Sequence, residues 1–126
     1  MIQEIIGTGE IAISDHRSSQ PTFEEFTRVA ADTRLGGVLS GKAGIINVHL
    51  GDGSRGMELI NRVIDETEIP ASQFLPTHVN RNEALFCQAI EYALKAVPLT
   101  LQETKISTTG RLSAMRCAYA KESSVC

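Results

Sequence analysis

The chain has 126 residues, of which 42% are hydrophobic and 21% charged, and its formal net charge is −3. This length accommodates one domain of ordinary globular composition. Nucleic acids and anionic membrane surfaces require clustered Lys and Arg, and a membrane-spanning helix requires about eighteen consecutive apolar residues. The sequence has neither feature, so we expect a cytoplasmic protein with no nucleic-acid and no membrane partner.

Strand-like and helix-like segments alternate along the chain. The strand-like segments are continuous apolar runs that end at turn or polar residues, and the helix-like segments have apolar residues at helical spacing. The predicted strands are 11–14, 45–50 and 74–79. The predicted helices are 22–39, a second one that begins near Met57 and stops near Pro70, and 82–95. This order predicts an α/β fold with a parallel sheet covered by helices. Periodicity leaves two architectures open, an open doubly wound sheet and part of a (β/α)8 barrel.

Three residues of metal-ligand type lie at or near the carboxyl ends of these strands. Glu10 comes just before the first apolar run, His49 is on the second strand and His78 is on the third. In both architectures functional residues gather at the carboxyl ends of parallel strands, and carboxylate with imidazole suits Zn²⁺ or a similar metal. The alternative is that Glu10 is an edge charge and the histidines are hydrogen-bonded core or loop residues.

Two arginines follow the same strand ends. Arg17 is two residues after Asp15, and Arg81 is three residues after His78. A guanidinium at this position can hold a substrate carboxylate through two parallel hydrogen bonds. The alternative for Arg17 is a surface ion pair with Asp15.

Three blocks of the sequence resemble consecutive parts of isoaspartyl dipeptidases, which are metallopeptidases of the amidohydrolase superfamily. The blocks are GEIAISDHRSSQPT, RLGGVLSGKAGIINVHLGD and FLPTHVNRNEALF, and the combination of SDHRS with LPTHVNRN is the specific signal. The similarity covers about three quarters of the chain, up to about Lys95. The resemblance therefore favours the barrel architecture, with residues 1–95 forming about three βα units of a (β/α)8 TIM barrel, family strands four to six.

The resemblance also implies an activity and the roles of individual residues. It implies a zinc-dependent hydrolase that cleaves the isopeptide bond of β-aspartyl dipeptides at a binuclear centre. Glu10 matches the group that bridges the two metal ions, and His49 and His78 match the histidine ligands of the fifth and sixth strands. Arg17 and Arg81 match the arginines that hold the carboxylates of the dipeptide substrate. The resemblance is also compatible with a homo-oligomer of the intact family enzyme.

Other functional residues of the family have no counterpart here. The paired histidines of the first strand and the general-base aspartate of the eighth strand are absent from the sequence, so we expect an internal fragment with no catalytic base and no activity alone. Residues 96–126 lack the glycine pair and seventh strand of the family, and a frameshift near Ala96 would explain this tail. The alternatives are a noncatalytic α/β module that binds an acidic ligand or a protein partner through Arg17 and Arg81, and a pseudogene product.

Overall fold

The structure is a computed structural model that describes residues 5–96. Strands and helices alternate along the chain as predicted, with one additional short 3₁₀ helix, Ala71–Gln73, before the third strand. The predicted tail, residues 96–126, lies outside the described residues except for Ala96. The elements are β1 (Gly7–Ile13), α1 (Phe23–Ser40), β2 (Ile45–Leu50), α2 (Glu58–Glu66), β3 (Phe74–Thr77) and α3 (Glu83–Ala96).

The three strands form one parallel sheet in the order β1-β2-β3. The central strand β2 places His49 beside Ala12 of β1 and Thr77 of β3. Because all three strands run in the same direction, their carboxyl ends meet at one edge of the sheet. The prediction of an α/β fold with a parallel sheet is confirmed.

The hydrophobic core lies between the sheet and the helices. In β2 the side chains alternate, so that Ile46, Val48 and Leu50 are buried while the intervening residues are only half-buried. The buried side chains belong to one core cluster with residues of the helices, including Phe26 and Met57. The helices thus cover one face of the sheet, and the half-buried residues of β2 lie on the opposite face, which we call the open face.

Helix α1 begins where its sequence signal predicts. Thr22 is the N-cap, and its hydroxyl accepts a hydrogen bond from the Glu25 backbone N–H. The Glu25 carboxylate accepts one in return from the Thr22 backbone N–H at 2.9 Å. This reciprocal capping box satisfies two backbone donors that a helix start otherwise leaves unpaired. The carboxylate's hydrogen bonds with Thr22 also lower the pKa of Glu25.

Two strand boundaries differ from the prediction. β1 begins at Gly7 rather than at residue 11, because Gly7 and Thr8 pair with Ile45 and Ile46 although they add no apolar side chains to the run. Glu10 therefore lies within the strand rather than just before it. β3 ends at Thr77 but includes Pro76, which pairs with Val48. β3 is an edge strand of the described sheet, where proline is tolerated.

Large apolar side chains are exposed on β3 and near the end of α1. Leu75 of β3 is 54% exposed, and Val38 and Leu39 near the end of α1 are 69% and 73% exposed. Unpaired strand edges and exposed apolar side chains favour association with further protein. Among residues 5–96, no helix combines the length and the apolar character needed to cross a bilayer.

Candidate metal centre

A bulge in β1 turns Glu10 towards the open face of the sheet. The register between β1 and β2 shifts between Thr8 and Ile11, so that Gly9 and Glu10 together oppose a single residue, Asn47. A bulge of this kind redirects a side chain and often occurs next to functional sites. Gly9 is required at this position because a Cβ atom would collide with the Asn47 side chain.

His49 lies on the same open face, at the carboxyl end of β2. Its backbone is held on both sides, by β1 and by β3, and its side chain is 23% exposed. The nearest atoms of the His49 ring and the Glu10 carboxylate, Nδ1 and Oε1, are 3.6 Å apart. The central strand therefore presents a partly shielded imidazole next to a half-exposed carboxylate.

His78 is positioned by the short loop between β3 and α3. Its backbone has a φ of 61°, in the left-handed region that non-glycine residues seldom adopt. The following residue, Val79, packs against the core, and the Asn82 side chain caps α3 by accepting from Leu85 N at 2.8 Å. These two anchors hold the His78 ring at 4.3 Å from the His49 ring, centroid to centroid.

Glu10, His49 and His78 form a three-ligand cluster in which one ligand atom from each residue lies within 4.8 Å of the others. Metal–ligand bonds of about 2.0–2.2 Å at tetrahedral angles separate two ligand atoms of one ion by about 3.3–3.6 Å. The observed distance of 3.6 Å between Glu10 and His49 agrees with this spacing. Two imidazoles and one carboxylate suit Zn²⁺ and related first-row ions, so the residues present fit a metal ion.

Arg81 contacts this cluster directly. Its backbone N–H donates to the His78 carbonyl, and one guanidinium nitrogen, Nη2, lies 3.2 Å from Nε2 of His49. His78 and Arg81, which the sequence predicted at the end of the third strand, thus both lie next to His49. Arg81 remains exposed to solvent on its other side.

Arg17 is held by Asp15 in a bidentate ion pair. Its Nε and Nη2 atoms donate to the two carboxylate oxygens at 3.0 and 2.8 Å, and its backbone N–H donates to Oδ1 at 2.9 Å. The Asp15 side chain is 2% exposed, whereas that of Arg17 is 65% exposed. The hydrogen bonds from Arg17 hold the pKa of Asp15 well below its usual range, and the pair raises the pKa of Arg17.

The loop that carries Asp15 packs tightly on the loop that follows β2. The Ser14 hydroxyl donates to the Gly53 carbonyl at 2.9 Å and accepts from Gly56 N at 2.8 Å. A Cβ atom at Gly51 would collide with Asp15, and one at Gly53 would collide with the Ser14 backbone. The GDG sequence after β2 therefore allows the two loops to approach closely enough to bury Asp15.

Arg17 shares a cavity with two residues of the cluster. The cavity has a volume of about 330 Å³ and is lined by Glu10, Ala12, Asp15, Arg17 and His49. A larger cavity of about 560 Å³ is located near the start of β1, against the second half of α1, and contains none of the cluster residues. We place the candidate site at the smaller of these two cavities because two residues of the cluster, Glu10 and His49, line it together with the Arg17 guanidinium.

Sequence reasoning missed two features of this region. It treated Asp15 only as a surface partner of Arg17, whereas Asp15 is buried and fixes the guanidinium. It also omitted Asn47, whose buried Oδ1 has no hydrogen-bond partner among the described residues. The position of Asn47, two residues before His49 on the same face of a strand, was the available signal. The third histidine, His16, is 80% exposed and lies outside the cluster.

Parallel βα units with functional side chains at the carboxyl ends of the strands are typical of (β/α)8 barrels. No known family model matches the chain. Solved structures identify a more specific similarity. The chain is 43% identical to a β-aspartyl dipeptidase from thermophilic keratin-degrading Fervidobacterium islandicum AW-1, with a TM-score of 0.75. That match covers 97% of this chain and 34% of the other.

A second structure of β-aspartyl dipeptidase from the same organism, in complex with the dipeptide β-Asp-Leu, is 48% identical, with a TM-score of 0.75. This match covers 96% of this chain and 32% of the other. The predicted resemblance to this dipeptidase family is confirmed. The match extends beyond the three quarters of the chain that the sequence blocks predicted, and the chain spans about a third of the length of these relatives.

Proposed function

We propose that this chain forms one part of the active site of a metal-dependent β-aspartyl dipeptidase, corresponding to strands four to six of a (β/α)8 barrel. The observation that carries the proposal is the convergence of Glu10, His49 and His78 on the open face of a parallel sheet. The sequence identity of 43–48% to two structures of β-aspartyl dipeptidase supports the proposal.

In this proposal Glu10, His49 and His78 hold a zinc ion or a similar first-row metal. Metal ions at such sites polarise a carbonyl oxygen and lower the pKa of coordinated water. Glu10 has a second carboxylate oxygen besides the one near His49, and this oxygen is available to a second ion of a binuclear centre. The half exposure of Glu10, 51%, leaves room for that ion on the open face.

Arg17 and Arg81 are the proposed carboxylate-binding residues. A β-aspartyl dipeptide such as β-Asp-Leu carries two carboxylates, and two guanidinium groups near the cluster match them in number and charge. Asp15 uses the Nε–H of Arg17 and one N–H of Nη2, which leaves three of the five side-chain donors for substrate. Asp15 therefore orients Arg17 without occupying its full hydrogen-bonding capacity.

We further propose that the chain alone has no dipeptidase activity. The cluster supplies three protein ligands, enough for one ion, and the described residues contain no second group of metal ligands. The open face also leaves Glu10 and His78 in contact with solvent. A site that is open on one side neither excludes water nor holds a substrate from both ends.

A chimeric enzyme tests the proposed function directly. Residues 5–96 would replace the segment that they match in the Fervidobacterium β-aspartyl dipeptidase, and hydrolysis of β-Asp-Leu would be measured with zinc present. We expect the chimera to hydrolyse the dipeptide and the variants His49→Ala and His78→Ala to lose this activity.

The matched control is Arg28→Ala in the same chimera, because Arg28 is exposed and pairs with Asp32 away from the cluster. A folded chimera that binds zinc but hydrolyses no dipeptide would contradict the proposed substrate. Equal activity in His49→Ala and in the unchanged chimera would contradict the proposed metal site.

A further inference from the structure

The contact between Arg81 and His49 determines which ring nitrogen of His49 carries its proton. A guanidinium has only hydrogen-bond donors, so Nε2 of His49, 3.2 Å from Arg81 Nη2, must be the acceptor. In a neutral ring the proton is then on Nδ1, the atom that lies 3.6 Å from the Glu10 carboxylate. Arg81, His49 and Glu10 are thus linked by successive contacts.

A metal ion on His49 would be incompatible with the Arg81–His49 contact, although the spacing of the three ligands suits the ion. If Nδ1 donates its lone pair to the ion, the proton moves to Nε2, and two donors then face each other across the contact with Arg81. If Nε2 binds the ion instead, Arg81 stands where the ion must be. In both cases Arg81 has to move away from His49, and the repulsion between a guanidinium and a divalent ion favours the same movement.

Arg81 is free to make this movement without disturbing the fold. Its side chain is exposed, and its backbone is part of the turn between β3 and α3 rather than of the sheet. The core residues that anchor this loop, Val79 and Leu85, do not depend on the guanidinium.

We infer that Arg81 is an internal competitor for the metal site and that metal binding releases it to bind a substrate carboxylate. The inference rests on the proposed metal-binding function of the cluster and adds an order of binding to it. The metal ion binds first, because only then is the guanidinium of Arg81 available. Metal and dipeptide carboxylate should consequently bind with positive cooperativity.

The test is a zinc titration of the full chain against a competing chelator, comparing wild type with Arg81→Gln. Groups in contact with a metal ligand commonly change metal affinity by about 10- to 100-fold, and removal of a competitor should strengthen binding by about that factor. Arg28→Gln is the matched control, because Arg28 is an exposed arginine on α1 that pairs with Asp32 away from the cluster. We expect no change in this control.

A second readout is the tautomer of His49, measured by long-range ¹H–¹⁵N NMR. We expect the Nδ1–H form in the metal-free wild type and loss of this preference in Arg81→Gln. Zinc binding with equal or weaker affinity in Arg81→Gln, or an Nε2–H tautomer in the metal-free wild type, would overturn the inference. These results would leave the metal site itself intact, whereas absence of zinc binding in both proteins would overturn the proposed function together with the inference.

Discussion

Replacement of His49, a member of the cluster, by alanine should weaken zinc binding more than any change outside the cluster. Structural zinc sites with four protein ligands have apparent binding free energies of about 10–16 kcal/mol, which corresponds to about 2.5–4 kcal/mol per ligand. Loss of one ligand should therefore reduce affinity by about 60- to 700-fold. His49 is the best ligand for this test, because both neighbouring strands fix its backbone.

The measurement is a competition titration with a chromophoric zinc chelator at constant pH. Removal of a half-buried histidine from the open face creates no cavity in the core, so circular dichroism should show an unchanged fold. The chain offers a matched control in His16→Ala, since the chain has three histidines and only this one lies outside the cluster. Equal weakening in His16→Ala and His49→Ala would refute the reasoning, because binding would then depend on histidine content rather than on position.

Three further predictions concern stability and the support of the site. Asp15→Asn should remove part of the acid sensitivity of folding. Arg17 lowers the pKa of Asp15 in the folded state, so the ionised carboxylate stabilises the fold above the unfolded pKa of about 3.9. This stabilisation is lost as the pH falls further. Urea midpoints should thus differ more between wild type and variant at pH 6 than at pH 3, and an equal difference would contradict the ion pair. Tyr92→Phe should destabilise the chain by about 1–3 kcal/mol in urea unfolding, because the buried hydroxyl donates to the carbonyls of Ala71 and Phe74; an unchanged midpoint would argue against these hydrogen bonds. Burial raises the pKa of Tyr92 to about 12, so the stability that the neutral hydroxyl contributes should be lost as the pH rises from about 10 to about 12. Tyr92→Phe should lack this alkaline dependence of stability. Gly51→Ala should disturb the loop around Asp15 and weaken dipeptide binding to the zinc-loaded chimera while leaving zinc affinity unchanged, which calorimetry would measure; reduced zinc affinity would show that the loop also supports the metal ligands.

The helices and the central strand could be predicted because their signals are local. The run IINVHL is bounded by glycines and forms β2 as predicted, and the Thr22–Glu25 capping box marks the start of α1. Both signals depend on residues next to each other in the sequence. The helix ends were predicted less well: α2 stops at Glu66, where the Thr67 hydroxyl donates to the Val63 carbonyl, rather than shortly before Pro70.

The geometry of the site could be predicted only in part, because it depends on pairing between distant residues. The bulge at Gly9 and Glu10 is defined by the register against β2, which no local pattern reveals. The burial of Asp15 depends on the close approach of the loop at Gly51, thirty-six positions later in the chain. The positions of Glu10, His49 and His78 at successive strand ends were apparent from the sequence, whereas their distances required the structure.

The central claim is that Glu10, His49 and His78 bind one metal ion together. The most direct measurement is zinc-edge X-ray absorption of the chain loaded with one equivalent of zinc. The claim predicts two imidazole ligands and at least one carboxylate oxygen, with metal–ligand distances of about 2.0–2.2 Å, and one imidazole fewer in His78→Ala. A zinc environment without imidazole, or one that is identical in wild type and His78→Ala, would contradict it.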